Sequence, residues 1–186
     1  MKKIVLAAVV ALSAGGAFAQ AYVGAGLSIN QLNVSCAGTQ TCSTNDAGGK
    51  AYGGYVWPSG VGVELAYHNL GAANSTQQVS SNLVRTEYEA AGFGAAMVFR
   101  GTVSRNFWVH AKLGVVRVET TTVTRTGLGL PSEVTESTTK PYFGLGMEYG
   151  FVDSVKLLAY LDMTKGKVNG ATASIRGTGL GVEFIF

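Results

Sequence analysis

The sequence predicts an all-β fold, an eight-stranded antiparallel up-and-down transmembrane β-barrel. Three observations predict it. Apolar residues alternate with small or polar ones, at a period of two, in eight segments. The links between those segments alternate between short and long. Aromatic residues gather beside the short links.

Composition sets the frame. Of 186 residues, 26 are glycine and only 13% are charged, while 47% are hydrophobic. Glycine is about twice its usual share and charge about half. That combination is far from the high charge and low hydrophobicity of a disordered chain. The chain starts Met1-Lys2-Lys3, then Ile4 to Leu12 is apolar, and Ala17-Phe18-Ala19 follows. These are the basic, apolar and small-residue parts of a secretory signal peptide over residues 1–19, with cleavage expected between Ala19 and Gln20. Residues 20–186 then form one barrel domain. Lys2 and Lys3 are among the 14 basic side chains, and the remaining 12 nearly match the 11 acidic ones. The basic balance therefore argues for no nucleic-acid partner. No segment after the leader has 18 consecutive apolar residues, so no helical span is expected.

The segments run in order. Tyr22 to Gln31 is the first. A loop over residues 32–49 follows, holding Cys36 and Cys42, which export permits to form a disulfide staple. No nearby His or third Cys makes them a metal site. Lys50 to Trp57 and Val61 to Asn69 flank Pro58-Ser59-Gly60, a turn sequence. After residues 70–86, Glu87 to Phe99 forms the fourth segment. Taking Phe93, Ala95, Met97 and Phe99 as outward turns Arg100 inward and leaves Glu87 and Glu89 near the outer interface, unless a bulge shifts the register. Phe107 to Glu119 comes next, then residues 120–138, then Thr139 to Tyr149. Val155 to Thr164, residues 165–172, and Ala173 to Phe186 complete the chain. Residues 32–49, 70–86, 120–138 and 165–172 are rich in Ser, Thr, Asn and Gly and read as outer loops. Within the third, Val123 to Leu130 and Val134 read as a ribbon extending the strands, with an edge open to β-augmentation.

Alternation alone fits an apolar face turned inward or outward. The other face decides. It carries many glycines and isolated charges, which suit the cramped inside of an eight-stranded barrel better than a watery exterior. Trp57, Phe99, Phe107, Tyr149, Phe151, Phe184 and Phe186 sit by the short turns and read as half of an interfacial girdle. In hydrocarbon a sheet cannot keep a free edge. The last segment, Ala173 to Phe186, must therefore pair with the first.

The stretch "KAYGGYVWPSGVGVELAYHNLG" (residues 50–71), with "AKLG" (111–114), "PYFGLGMEYG" (141–150) and the terminal aromatic strand, resembles the OmpA-like small eight-stranded outer-membrane barrels. The resemblance covers residues 22–186. It implies a multi-pass protein of the cell outer membrane, in contact with outer-membrane lipid and lipopolysaccharide. It also implies that Leu180, Val182, Phe184 and Phe186 form the signal read by the outer-membrane assembly machinery.

The inward face collects Glu64, Arg100, His110, Lys112, Glu148, Lys156, Asp162 and Glu183. Buried charge is costly unless paired, so these residues are expected to form an interior network that fills the lumen. The function expected is structural, with surface binding of a host or other ligand through the outer loops. The alternatives are a narrow small-solute channel and a lipid A-modifying enzyme. The channel would use the same charges as a pore lining. The enzyme would need a nucleophile beside a base. His68, near Ser75, Ser80 or Ser81, is its only candidate, so no catalytic residue is assigned. No cofactor motif or metal-ligand cluster is present.

Overall fold

The computed structural model describes residues 20–33, 41–79, 82–126, 132–152, 154–168 and 171–186. Residues 1–19 and Cys36 lie outside them, and with them the expected signal peptide, its cleavage site and the expected Cys36–Cys42 bridge. The strands are β1 (Gln20–Asn33), β2 (Thr41–Ser43), β3 (Asn45–Val56), β4 (Val61–Val79) and β5 (Asn82–Ser104). β6 (Phe107–Thr126), β7 (Ser132–Val152), β8 (Val155–Val168) and β9 (Ala171–Ile185) follow. They build eight staves, because the short β2 prolongs β3 along β4. Thr41 pairs with Thr76 and Gly49 with Asn69.

Every neighbour is antiparallel and the sheet closes. β1 pairs with β3, Gln20 opposite Val56, and with β9, Leu27 opposite Leu180. The Phe186 amide adds a last bond to the Ala21 carbonyl at 2.9 Å. The short turns behave as their residues demand. Gly60 takes φ +81°, a region side chains avoid, and its N–H reaches the Trp57 carbonyl at 2.9 Å. At the other end, Gly71 takes φ +81° where the β4–β5 register shifts between Asn69 and Gly71. The bulge thus falls on β4. β5 pairs with β6 without interruption from Val84 to Thr102, so the side-chain parity of β5 holds. Phe93, Met97 and Phe99 are exposed, and the Arg100 side chain is buried.

The apolar outside and charged inside are the reverse of a water-soluble core. Leu27, Leu180 and Phe186 are 79%, 70% and 76% exposed, while Lys112, Glu183 and Glu148 are 2%, 1% and 0%. Glycine makes room for this filling. Across the inner face, small residues oppose large ones. The Tyr52 ring lies where a Cβ on Gly24 would stand, and the His110 ring does the same over Gly146. Such alternation lets bulky polar groups from opposite walls interlock in a narrow barrel.

The loop expectations need correction. Residues 70–86 and 120–138 were expected as loops, but most of both are strand. β4 and β5 stay paired up to Val79 and Asn82, and β6 and β7 up to Thr124 and Ser132. Thr and Val are β-branched and favour the extended backbone, so hydroxyl-rich composition here serves strands. Likewise β8 and β9 pair up to Val168 and Ala171, within the expected loop 165–172. β5 has 23 residues and β6 has 20, against roughly ten needed to cross hydrocarbon. The surplus stands on the outer side.

Candidate functional site

Two regions hold the groups able to do chemistry: the lumen and the outer extension of β4–β7. In the lumen, Glu148 of β7 is a hub. Its Oε1 accepts from Arg100 Nε at 2.9 Å and lies 2.7 Å from His110 Nδ1. Its Oε2 accepts from Lys156 Nζ at 2.9 Å. Facing a carboxylate, His110 Nδ1 must carry the proton. Arg100 also donates from Nη2 to Glu183 Oε1 at 2.7 Å, tying β5 to β9 across the barrel. Nearby, Lys112 Nζ donates to both oxygens of Glu64, at 2.8 and 2.6 Å, and Tyr22 donates to Glu64 Oε2 at 3.0 Å. Arg100, Lys112 and Tyr22 reach strands that are not their neighbours, while His110 and Lys156 reach Glu148 from the strands on either side of β7.

A third cluster lies toward the outer end. Lys50 Nζ donates to Asp162 Oδ2 at 2.8 Å, and the Tyr142 hydroxyl to Oδ1 at 2.6 Å. Aromatic faces wrap the cations. Lys50 Nζ is 3.5 Å from the Tyr160 ring centre and Lys156 Nζ 4.0 Å from that of Trp108. A narrow cleft remains beside this cluster, lined by Asn30, Lys50, His68, Tyr142, Tyr160 and Asp162.

All eight charged or imidazole side chains assigned to the interior face the lumen, and each has an ionic partner within 3 Å. Lys50 was missed, although it is the partner of Asp162. Tyr22, Tyr52 and Tyr142 were missed as well. Their parity with Gly24, Gly54 and Gly144 was the available signal. His68 does not stand exposed at the rim. It is buried in the lumen, 5.3 Å from the Tyr142 ring centre, while Ser75 sits higher on β4, opposite Cys42 and Thr86. Ser80 and Ser81 lie outside the described residues. Among the described residues, no group of three His, Cys, Asp or Glu is placed to hold a metal ion.

The outer extension is a sheet of β4 to β7 with the short β2 along β4. Its β7 side is open among the described residues. β7 pairs with β8 only from Phe143 opposite Met163 downward. Above that point residues 132–142 pair with β6 alone among the described residues. Pro141 sits at the break. Thr164 Oγ1 donates to its carbonyl at 3.0 Å, so this edge of Pro141 faces β8, where it has no N–H to offer. Side chains bind the sheet's face lightly: Arg117 to Ser137 at 3.1 Å and Thr121 to Thr135 at 3.2 Å. Of the ribbon read from sequence, Val123 and Val134 lie on this sheet and residues 127–130 fall outside the description. Leu180, Phe184 and Phe186 face outward on β9, beside the partly exposed Val182.

A closed antiparallel barrel with an apolar outside and an ion-paired inside defines a membrane-spanning barrel. The chain matches the family described as the outer membrane protein beta-barrel domain over residues 4–186, and it belongs to that family. The fold is similar to that of Neisserial surface protein A, with a TM-score of 0.64 at 15% identity, covering 89% of this chain and 97% of that one. Ail, the attachment invasion locus protein of Yersinia pestis, solved with the heparin analogue sucrose octasulfate, gives 0.60 at 13% identity, with 91% and 100% covered. The N-terminal barrel of Pseudomonas aeruginosa OprF gives 0.53 at 16%, with 92% and 100% covered. Comparison with curated proteins by sequence gave no match.

Proposed function

We propose that this chain is a multi-pass protein of the cell outer membrane whose barrel is an anchor and whose outer sheet binds a surface ligand in an adhesin-like manner. One observation carries the reading: β4–β7 continue past the apolar band as a sheet, and among the described residues β7 has no strand paired to its β8 side over residues 132–140. An open edge offers a row of backbone donors and acceptors to an incoming strand, and a rigid scaffold holds it in place. Host or matrix proteins are the partner class this suits. The heparin analogue bound to Ail makes a sulfated glycan a second probe worth including.

Paired charges across the lumen support an anchor over a constitutive small-solute channel, because breaking such pairs in a buried site is costly. His68, its ring tilted against that of Tyr142, gives no support to lipid A chemistry, which needs a base beside a nucleophile. During biogenesis, the outward row Leu180, Val182, Phe184 and Phe186 would be the segment met by the assembly machinery. Lipid and lipopolysaccharide would surround the finished barrel.

The test replaces residues 74–87 and 119–137 each by a two-residue Asn-Gly turn, which suits a tight hairpin. Bacteria displaying this variant should lose adhesion to host cells, while the unboiled protein still migrates as a compact species on a gel. Adhesion equal to that of the parent would overturn the reading.

A further inference from the structure

We propose that the β8–β9 face binds the phosphate groups of an outer-leaflet glycolipid through Lys165, Lys167 and Arg176. The inference rests on the outer-membrane reading and adds a site to it. On β8 the outward row climbs through Leu157, Leu161 and Met163 and then becomes Lys165 and Lys167. On β9 it climbs through Phe184, Val182, Leu180 and Thr178 to Arg176. Arg176 is opposite Met163, and Lys165 is opposite Ser174. Arg176 and Lys165 are thus diagonal neighbours across two strands, a spacing long side chains span. All three cations are exposed.

Their charge is not answered by an ion pair among the described residues, whereas that of the lumen cations is. Of the acids of the outer sheet, Glu119 lies 3.7 Å from Arg117 on β6, Glu87 and Glu89 are on β5, and Glu133 and Glu136 are on β7 above the point where its pairing with β8 ends. Nor is the face covered by the neighbouring strand, since β7 leaves β8 above Met163. Three like charges on one patch repel one another, and a polyanion relieves that.

Position selects the occupant. The cations begin one step above residues that face hydrocarbon, the level at which head groups lie. Lys and Arg can lay their apolar stems along the band and keep their charges at the interface. A single amphiphile fits both parts, with acyl chains on Leu161, Met163 and Leu180 and phosphates on the cations. An acidic protein segment would match only the charges.

The experiment uses the full barrel refolded in neutral detergent and bis-phosphorylated lipid A as the probe, with fully dephosphorylated lipid A beside it. Retained lipid is read by native mass spectrometry at low and raised salt. Lys165→Gln/Lys167→Gln/Arg176→Gln should bind the phosphorylated lipid roughly tenfold more weakly and lose the salt dependence. Arg117→Gln/Glu119→Gln should bind as the parent does. Equal retention of both lipids by the parent, or an unchanged triple variant, would sink the proposal. Heat-modifiable gel migration of the same samples reports the barrel separately, so lost lipid with an intact compact band is attributable to the cations.

Discussion

The lumen and the outer sheet are made from the same strands but held by different forces. In the lumen, side chains do the joining: Arg100 links β5 to β7 and β9, and Lys112 links β6 to β4. In the outer sheet the backbone ladder does most of the joining, and side chains add exposed contacts such as Arg117 to Ser137. The difference follows from solvent. Inside hydrocarbon the wall must satisfy every polar backbone group, and the charges it encloses must satisfy each other. Above the band, water takes over that duty. One edge can then stay open, as that of β7 does among the described residues.

The contrast can be broken first at Glu148. Glu148→Ala leaves Arg100, His110 and Lys156 without their shared acceptor in a buried site. It should destabilise the barrel by about 3–5 kcal/mol, measured by urea unfolding of the refolded protein in vesicles. Planar-bilayer recordings on the same variant should show conductance that the parent lacks. A neutral result would mean that the pairs contribute little.

The lipid face offers the next largest effect. Leu145→Arg, in the middle of the outward row of β7, should cost about 2–4 kcal/mol, whereas Thr139→Arg, above the band, should cost about 1 kcal/mol or less. Equal losses at the two sites would misplace the apolar band. Tyr142→Phe removes one donor from Asp162 and should cost about 1.5 kcal/mol, the lower end for a hydrogen bond to a charged group. At the bottom of the scale, Ser137→Ala breaks an exposed contact with Arg117 and should change stability by under about 0.5 kcal/mol. A larger loss there would show that the outer sheet depends on its side chains after all.

Legibility in the sequence followed side-chain parity. Where a strand carries its aliphatic residues on one face only, as at Val61 to His68 or Phe107 to Val115, the inward Glu64, His110 and Lys112 could be named directly. Lys50 could not, because Tyr52 and Tyr55 stand on opposite faces of β3 with Gly53-Gly54 between them. That hides which face is inside. The bulge at Leu70 hid more. It resets the alternation, so that Leu70 and Ala73 both turn inward. Composition misled most in residues 70–86 and 120–138, because Ser, Thr and Asn suit a turn and a solvated strand equally well.

The sequence by itself determined the class of fold, the direction of its faces and the pool of charges to be buried. Those properties depend on period, residue size and polarity, which are local. Tertiary structure alone decided which acid meets which base, how far β4–β7 rise above the band, and where β7 parts from β8. Those depend on the stagger between strands that meet only when the barrel closes, and no single segment encodes that stagger.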